Sequence, residues 1–535
     1  MITPESPDRQ YSTRLRTALV LTGSGTGGAY HAGVLRALHE AGIRIDMVAG
    51  RGVGAVGALF AAVDGSARLW EDTGVWRSPA ARQFYGWKTP LRAAGWAATA
   101  GAAILAAPLV LLALSVVTAI VGLLLTLIGL DGPGAQLSAG YSRWMATLFA
   151  PAVLPTFIPR LALLALLVAA AIVLAGALPG VGRRTSKRRA QHGLAGRIFG
   201  GPFSPGSLAD RCTSELWNLI RGAAPVAAPS GSELARKYLE LLSENLGQPG
   251  FRELLLTIHD LDAQRDLVFA LLSGNHRARF FNRPGPASAI RQVEAFDLSG
   301  VARDHGFDAL SAALAVPVAC DPHLVTFAPE GPWRGETHRL CDRPGGLLRL
   351  LEEVGAAGAE QIIVVAPVAP PSGPHELTAG RADLRGRAAE ALATFEAAAL
   401  RDVVEHVSGR FAGLFVIRPL HNPLGPLDFN GVYDERSDRV HTTAELVDRG
   451  YEDAYRLFIE PVVAGSGDTG SLGPWSLGHG SLSPGPSVPG PSVPGPSVPG
   501  PSVPRPAVPV PGPSVPRPSV PGPSVPRPGS RIRGS

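Results

Sequence analysis

Cysteine and charge are what this chain has least of. Cys212, Cys320 and Cys341 are its only cysteines, scattered and odd in number. They form neither a disulfide framework nor a CxxC metal pair, so a reducing compartment is expected. Asp, Glu, Lys and Arg make up 17% of the residues, against 45% hydrophobic. That balance is low for a purely soluble protein and points to a membrane portion. Charge is missing altogether from residues 93–130 and again from 161–182. The net charge of +5 is modest. The basic residues cluster beside these apolar runs, the pattern of membrane flanks and not of a nucleic-acid surface. No His, Asp and Glu spacing suggests a metal site. Residues 1–16 are polar and charged, without a secretory pattern, and are expected to form a disordered lead.

Glycine is what the chain has in the right places. Residues 18–21 are a short apolar run, as a buried parallel strand would be. Gly23, Ser24, Gly25, Thr26, Gly27 and Gly28 follow at once, a loop that lets backbone N–H groups approach negative charge. Helical spacing then runs over residues 30–41 and stops at Gly42. Residues 43–49 read as a second strand. Gly50, Arg51, Gly52, Val53 and Gly54 make a tight turn into a helix over 55–63. Two chemistries use such an arrangement. Gly23, Gly25 and Gly28 fit the dinucleotide pattern G-x-G-x-x-G, with Asp46 near where a ribose-binding acid would sit. In acyl hydrolysis, the loop is an oxyanion hole and the second turn a nucleophile elbow, G-x-S-x-G. The glycine cluster after the second strand favours the elbow.

The run from Gly28 through Ala29, Tyr30, His31, Ala32, Gly33 and Val34 to Leu35, followed by this turn, resembles the patatin-like phospholipase family. The resemblance implies a three-layer α/β/α sandwich and no cofactor. It also implies lipid substrates, an oxyanion loop at residues 23–28 and a Ser-Asp dyad. The chain departs from the family at Gly52, which stands where the nucleophile serine belongs, and at Gly27, where the loop usually carries arginine. The family aspartate maps to Asp342, ahead of Gly345 and Gly346, a helix, and the strand residues 361–366; Asp428 is the rival. Asp342 is then the expected base, with Gly50, Arg51 and Gly54 shaping an elbow that lacks its nucleophile. Ser24, Thr26 and His31 are expected to be structural, His31 as a half-exposed helix residue. His323, His338 and Cys341 have no assigned role.

The remaining chain falls into parts. Residues 17–75 carry the first part of the core. Trp76, Arg77, Arg82, Tyr85, Trp87, Lys88 and Arg92 have the composition of a membrane interface. Residues 93–182 are expected to be a transmembrane hairpin of two spans with a loop over 131–160, both flanks and both termini being cytoplasmic. Residues 200–463 hold the second part of the core, with a helical cover over 203–273. Residues 465–535 repeat the unit G-P-S-V-P, cannot bury a core, and read as a disordered tail or a ligand for a proline-motif-binding protein.

Overall fold

Alternation along the central strands divides two cores. In β1 (Thr17–Leu21) every residue is buried, so its period of two separates one sheet face from the other. Leu19 and Leu21 join one cluster, Ala18 and Val20 the opposite one. β2 (Met47–Arg51) repeats the division, with Val48 on the first face and Met47 and Ala49 on the second. The computed structural model describes residues 11–148, 150, 157–177, 200–282, 288–371, 373, 383–434 and 437–466. All lie within one compact unit, residues 1–477. The tail from 467 onward and residues 1–10 lie outside them.

After a two-residue pair, β3 (Gly86–Trp87) and β4 (Phe203–Ser204), the main sheet continues with β5 (Glu253–Asp260), β6 (Arg265–Leu271) and β7 (Ala295–Asp297). Then come β8 (His323–Thr326), β9 (Thr337–Cys341), β10 (Gln361–Val365) and β11 (Gly413–Ile417). The spatial order is β11-β10-β1-β2-β5-β6-β7, with β9 joining β5 and β8 joining β9. The strands from β11 to β5 are parallel; β6 is antiparallel to β5. Helices α1 (Gly27–Glu40) and α2 (Gly54–Ala62) cover one face. The helices Leu347–Ala356 and Leu384–Val407 cover the other. The closing helix Thr443–Ala454 crosses α1 so closely that a Cβ on Gly33 would lie 1.8 Å from the Val447 carbonyl.

Several expectations change. Residues 253–271 are core strands and not part of a helical cover, because the buried run of β6 serves a strand as well as a helix. Residues 11–16 pack on the domain: the Tyr11 hydroxyl donates to the Arg44 carbonyl, and its ring meets Phe415 and Phe458. Trp76 and Tyr85 are 1% exposed core residues and not interface aromatics, whereas Trp87 is exposed. Residues 131–148 form a helix, Asp131–Leu148, where a loop was expected.

Among the described residues, the apolar insertion contains three helices, Thr89–Leu127, Asp131–Leu148 and Phe157–Ala177, the second and third packed on the first. Within the described residues, one segment is long and apolar enough to cross a bilayer, Leu109–Leu127. The second apolar stretch, Arg160–Ile172, is shorter than a span. The described residues thus offer one candidate span where two were expected. Leu109, Leu127 and their neighbours leave large apolar side chains exposed along this helix.

Candidate active site

The carboxyl ends of parallel strands are where open α/β sheets bind ligands. Here β1 ends in the glycine loop and β2 ends in the turn at Gly52. Asp342 follows β9, which runs antiparallel beside the end of β5, with His259 opposite Cys341. The Asp342 N–H donates to the Ala315 carbonyl at 3.0 Å. This brings residues nearly 300 positions apart onto one spot. A Cβ built on Gly52 would lie 3.0 Å from Asp342 Oδ2. Asp428 does not face Gly52 but lines the cavity beside the glycine loop, where its Oδ2 accepts from the Gly425 N–H at 2.9 Å.

Gly52 has φ +54°, the strained strand-to-helix turn of an elbow. Three features distinguish this elbow from a working one. The nucleophile side chain is absent. The Gly23 carbonyl occupies its place, 2.2 Å from where a Cβ would be. The Val53 N–H, following the nucleophile position, donates to that same carbonyl at 2.9 Å. In the α/β-hydrolase elbow the equivalent N–H stabilises the oxyanion.

Arg51 fills the space beside the elbow. Its guanidinium, 1% exposed, donates to both Asp342 oxygens at 3.0 and 2.9 Å and to Glu396 at 2.7 and 2.6 Å. It also donates to the Thr22 hydroxyl at 2.7 Å. Ser24 Oγ donates to Asp342 Oδ2 at 3.3 Å. Burial pushes the Asp342 carboxyl up to about 6, with Arg51 pulling the other way and Glu396 reinforcing the rise. One cation against two carboxylates leaves the buried cluster short of positive charge, so Asp342 keeps its proton to a higher pH than a free carboxyl. A carboxyl held by an arginine with no hydroxyl at the elbow has no nucleophile there to activate.

Some of the site is open. The N–H groups of Gly23, Ser24 and Gly25 find no acceptor among the described residues. A cavity of about 460 Å³ adjoins them, lined by Gly23, Ser24 and Gly27, by residues 367–371 after β10 and by 422–426 after β11. Its remaining wall includes Ala389, Ala393 and Glu396 of the helix Leu384–Val407.

The other sequence candidates have separate places. Thr26 Oγ1 donates to the Gly425 carbonyl at 3.0 Å, pinning the loop. His31 is fully buried and not half-exposed; its Nε2 meets the Thr22 carbonyl at 2.9 Å, and burial lowers its pKa to about 4. His323 pairs with Asp308 and His338 with Asp260. Burial raises the Cys341 thiol to about 12, so it is no thiolate at neutral pH. Asp46 sits at the amino end of β2, where it accepts from the Thr17 N–H at 2.9 Å. That is the sheet edge away from the glycine loop, so Asp46 reaches no ribose on a phosphate held there, and the dinucleotide alternative loses its acid. Glu396 was missed in the sequence. Arg51 was named only as part of the elbow; a charged residue inside G-x-S-x-G was the available signal, and its two partners lie far along the chain.

The largely parallel sheet flanked by helices, with a glycine loop after β1 and a strand-to-helix elbow after β2, defines an α/β protein of the nucleophile-elbow kind. A family model described as patatin-like phospholipase matches residues 19–342, more than half of the chain. The chain belongs to the patatin-like phospholipase family. Patatin-like phospholipase domain-containing protein 6 of mouse and of human are each 43% identical over 60 residues, 11% of this chain. The chain spans 4% of the length of these relatives. The crystal structure of VipD from Legionella pneumophila aligns with 84% of this chain and 67% of its own, at 12% identity and a TM-score of 0.27. That likeness is too low to bear on fold or function.

Proposed function

We propose that this chain is a membrane-associated, lipid-directed member of its family that binds phospholipid acyl esters without cleaving them at the elbow. The observation that carries the reading is Gly52 facing an Asp342 already held by Arg51. A hydrolase of this type needs a hydroxyl at that point, and its loss commonly costs several orders of magnitude in rate. The spare N–H groups of residues 23–25 can hold an ester or phosphate oxygen, and the cavity beside them is large enough for part of an acyl chain. The apolar segment Leu109–Leu127 supports membrane association through the helix Thr89–Leu127.

The test is photo-crosslinking with a phospholipid bearing a diazirine on its acyl chain, in nanodiscs. Adducts at residues 23–27 and 422–426, with the unreacted lipid recovered intact, are expected. Adducts confined to other regions, or lysophospholipid formation lost in Asp342→Asn, would overturn the reading.

A further inference from the structure

A second constellation lies away from the elbow, on the hairpin of β12 (Val432–Asp434) and β13 (Arg439–His441) and the helix Thr443–Ala454 behind it. Ser437 stands in the turn, where its N–H donates to the Asp434 carbonyl at 3.2 Å. Its side chain is exposed, and its Oγ lies 2.8 Å from His441 Nε2. The other ring nitrogen, Nδ1, lies 2.9 Å from Glu445 Oε2. His441 is 7% exposed and Glu445 is partly buried. A serine hydroxyl on one imidazole nitrogen and a carboxylate on the other is the arrangement that activates serine in unrelated hydrolases, recognised by roles and not by sequence position.

The chain builds it for local reasons. The hairpin register pairs Val432 with His441, and Ser437, two residues before β13, lies beside that strand's last residue, His441. Thr442 then caps the next helix by accepting from the Glu445 N–H at 3.4 Å, which sets Glu445 on the first turn, four residues after His441. The hydroxyl has a second acceptor, Asp434 Oδ2, at 2.9 Å, and Asp434 also receives His421 Nε2 at 3.2 Å. Glu445 Oε2 stands beside Nδ1 without forming a hydrogen bond, and Asp434 Oδ2 lies 3.5 Å from Nε2; attack by Ser437 uses the tautomer with the proton on Nδ1 and the lone pair of Nε2 toward the hydroxyl. A cavity of about 240 Å³ adjoins His441 and Glu445, lined also by His421, Leu424, Arg439 and Arg449, with Ser437 outside its wall.

We propose that Ser437, His441 and Glu445 form a serine-hydrolase site, separate from the elbow, that takes short-chain carboxylic esters. Ser437 Oγ attacks the carbonyl carbon as its proton passes to His441 Nε2. Glu445 positions the ring and stabilises the imidazolium. The imidazolium returns the proton to the leaving alcohol oxygen as the C–O bond breaks, leaving an acyl-serine. Water then enters by the same route, giving up a proton to His441, and the carboxylic acid leaves as that proton returns to Ser437. A cavity of this size fits a short acyl group and not a two-chain lipid.

The experiment is labelling of the full chain with a rhodamine fluorophosphonate, followed by peptide mapping. The adduct is expected on Ser437, absent in Ser437→Ala, and formed at least about 10²-fold more slowly in His441→Gln. Glu445→Gln should slow labelling while Glu445→Asp restores most of it, a distinction that mere support of the helix would not produce. Ser437 is exposed, so Ser437→Ala keeps the fold and carries the test if a His441 variant does not. Absence of any adduct on the folded wild type, an adduct on a different serine, or Ser437 labelling indifferent to His441→Gln each overturns the proposal. None of these results alters the reading of the elbow, where the chain has no serine.

Discussion

Arg51 governs the site at the scale of single residues. It is a fully buried cation between two carboxylates, so its removal leaves charge with no partner. Arg51→Leu should lower stability by about 3–5 kcal/mol, read from urea unfolding in detergent. Asp342→Asn keeps Arg51 on Glu396 and should cost only about 1 kcal/mol. The pH dependence has a definite sign. Asp342 holds its proton more tightly folded, near 6, than in the unfolded chain. Its contribution is complete below about pH 4 and is lost as pH rises through 6. His31 works oppositely: with its pKa lowered to about 4, it weakens the fold as pH falls from 6.5 toward 4. Asp342→Asn should remove the first slope, and His31→Gln the second, in midpoints measured from pH 4 to 7. Gly52→Ser is expected to destabilise the chain and not to restore hydrolysis. The left-handed backbone costs about 1–3 kcal/mol, and the Gly23 carbonyl stands where the new Cβ must go. A Gly52→Ser variant of undiminished thermal midpoint would show that the loop moves aside freely.

At the scale of elements, the strand–loop–helix–strand–elbow order was legible, because glycines punctuate it and the strands between them are buried on both faces. The helix after Asp342 and the strand Gln361–Val365 were legible for the same reason. β5 and β6 were not. A short apolar run does not distinguish helix from strand, and the pairing that decides it comes from β2 on one side and β7 on the other. The insertion was legible as apolar, but its helix Asp131–Leu148 was not, since Asp131, Gly132, Pro133 and Gly134 read as turn residues. The helix Thr89–Leu127 carries its own prediction. Val117→Arg puts a charge inside the candidate span and should disfavour insertion by about 2.5–3.5 kcal/mol. Wild type should stay in the membrane pellet at alkaline pH, and the variant should move to the supernatant. Equal retention of both would mean that this helix does not hold the chain in the bilayer.

For the whole molecule, the sequence named Gly52 as the nucleophile position and Asp342 as the expected base, and the fold places the two side by side. It could not reveal what Arg51 does between them, because Glu396 reaches the site only through the packing of the helix Leu384–Val407 on the sheet. At the elbow the Gly23 carbonyl stands where a Cβ on Gly52 would go, and Arg51 holds Asp342. The direct measurement is fatty-acid release from phospholipid vesicles by the full chain carrying Ser437→Ala, which silences the separate hairpin serine. No release above buffer is predicted, together with flotation of the protein on the vesicles. Release that persists in this background and disappears on Asp342→Asn would contradict the account.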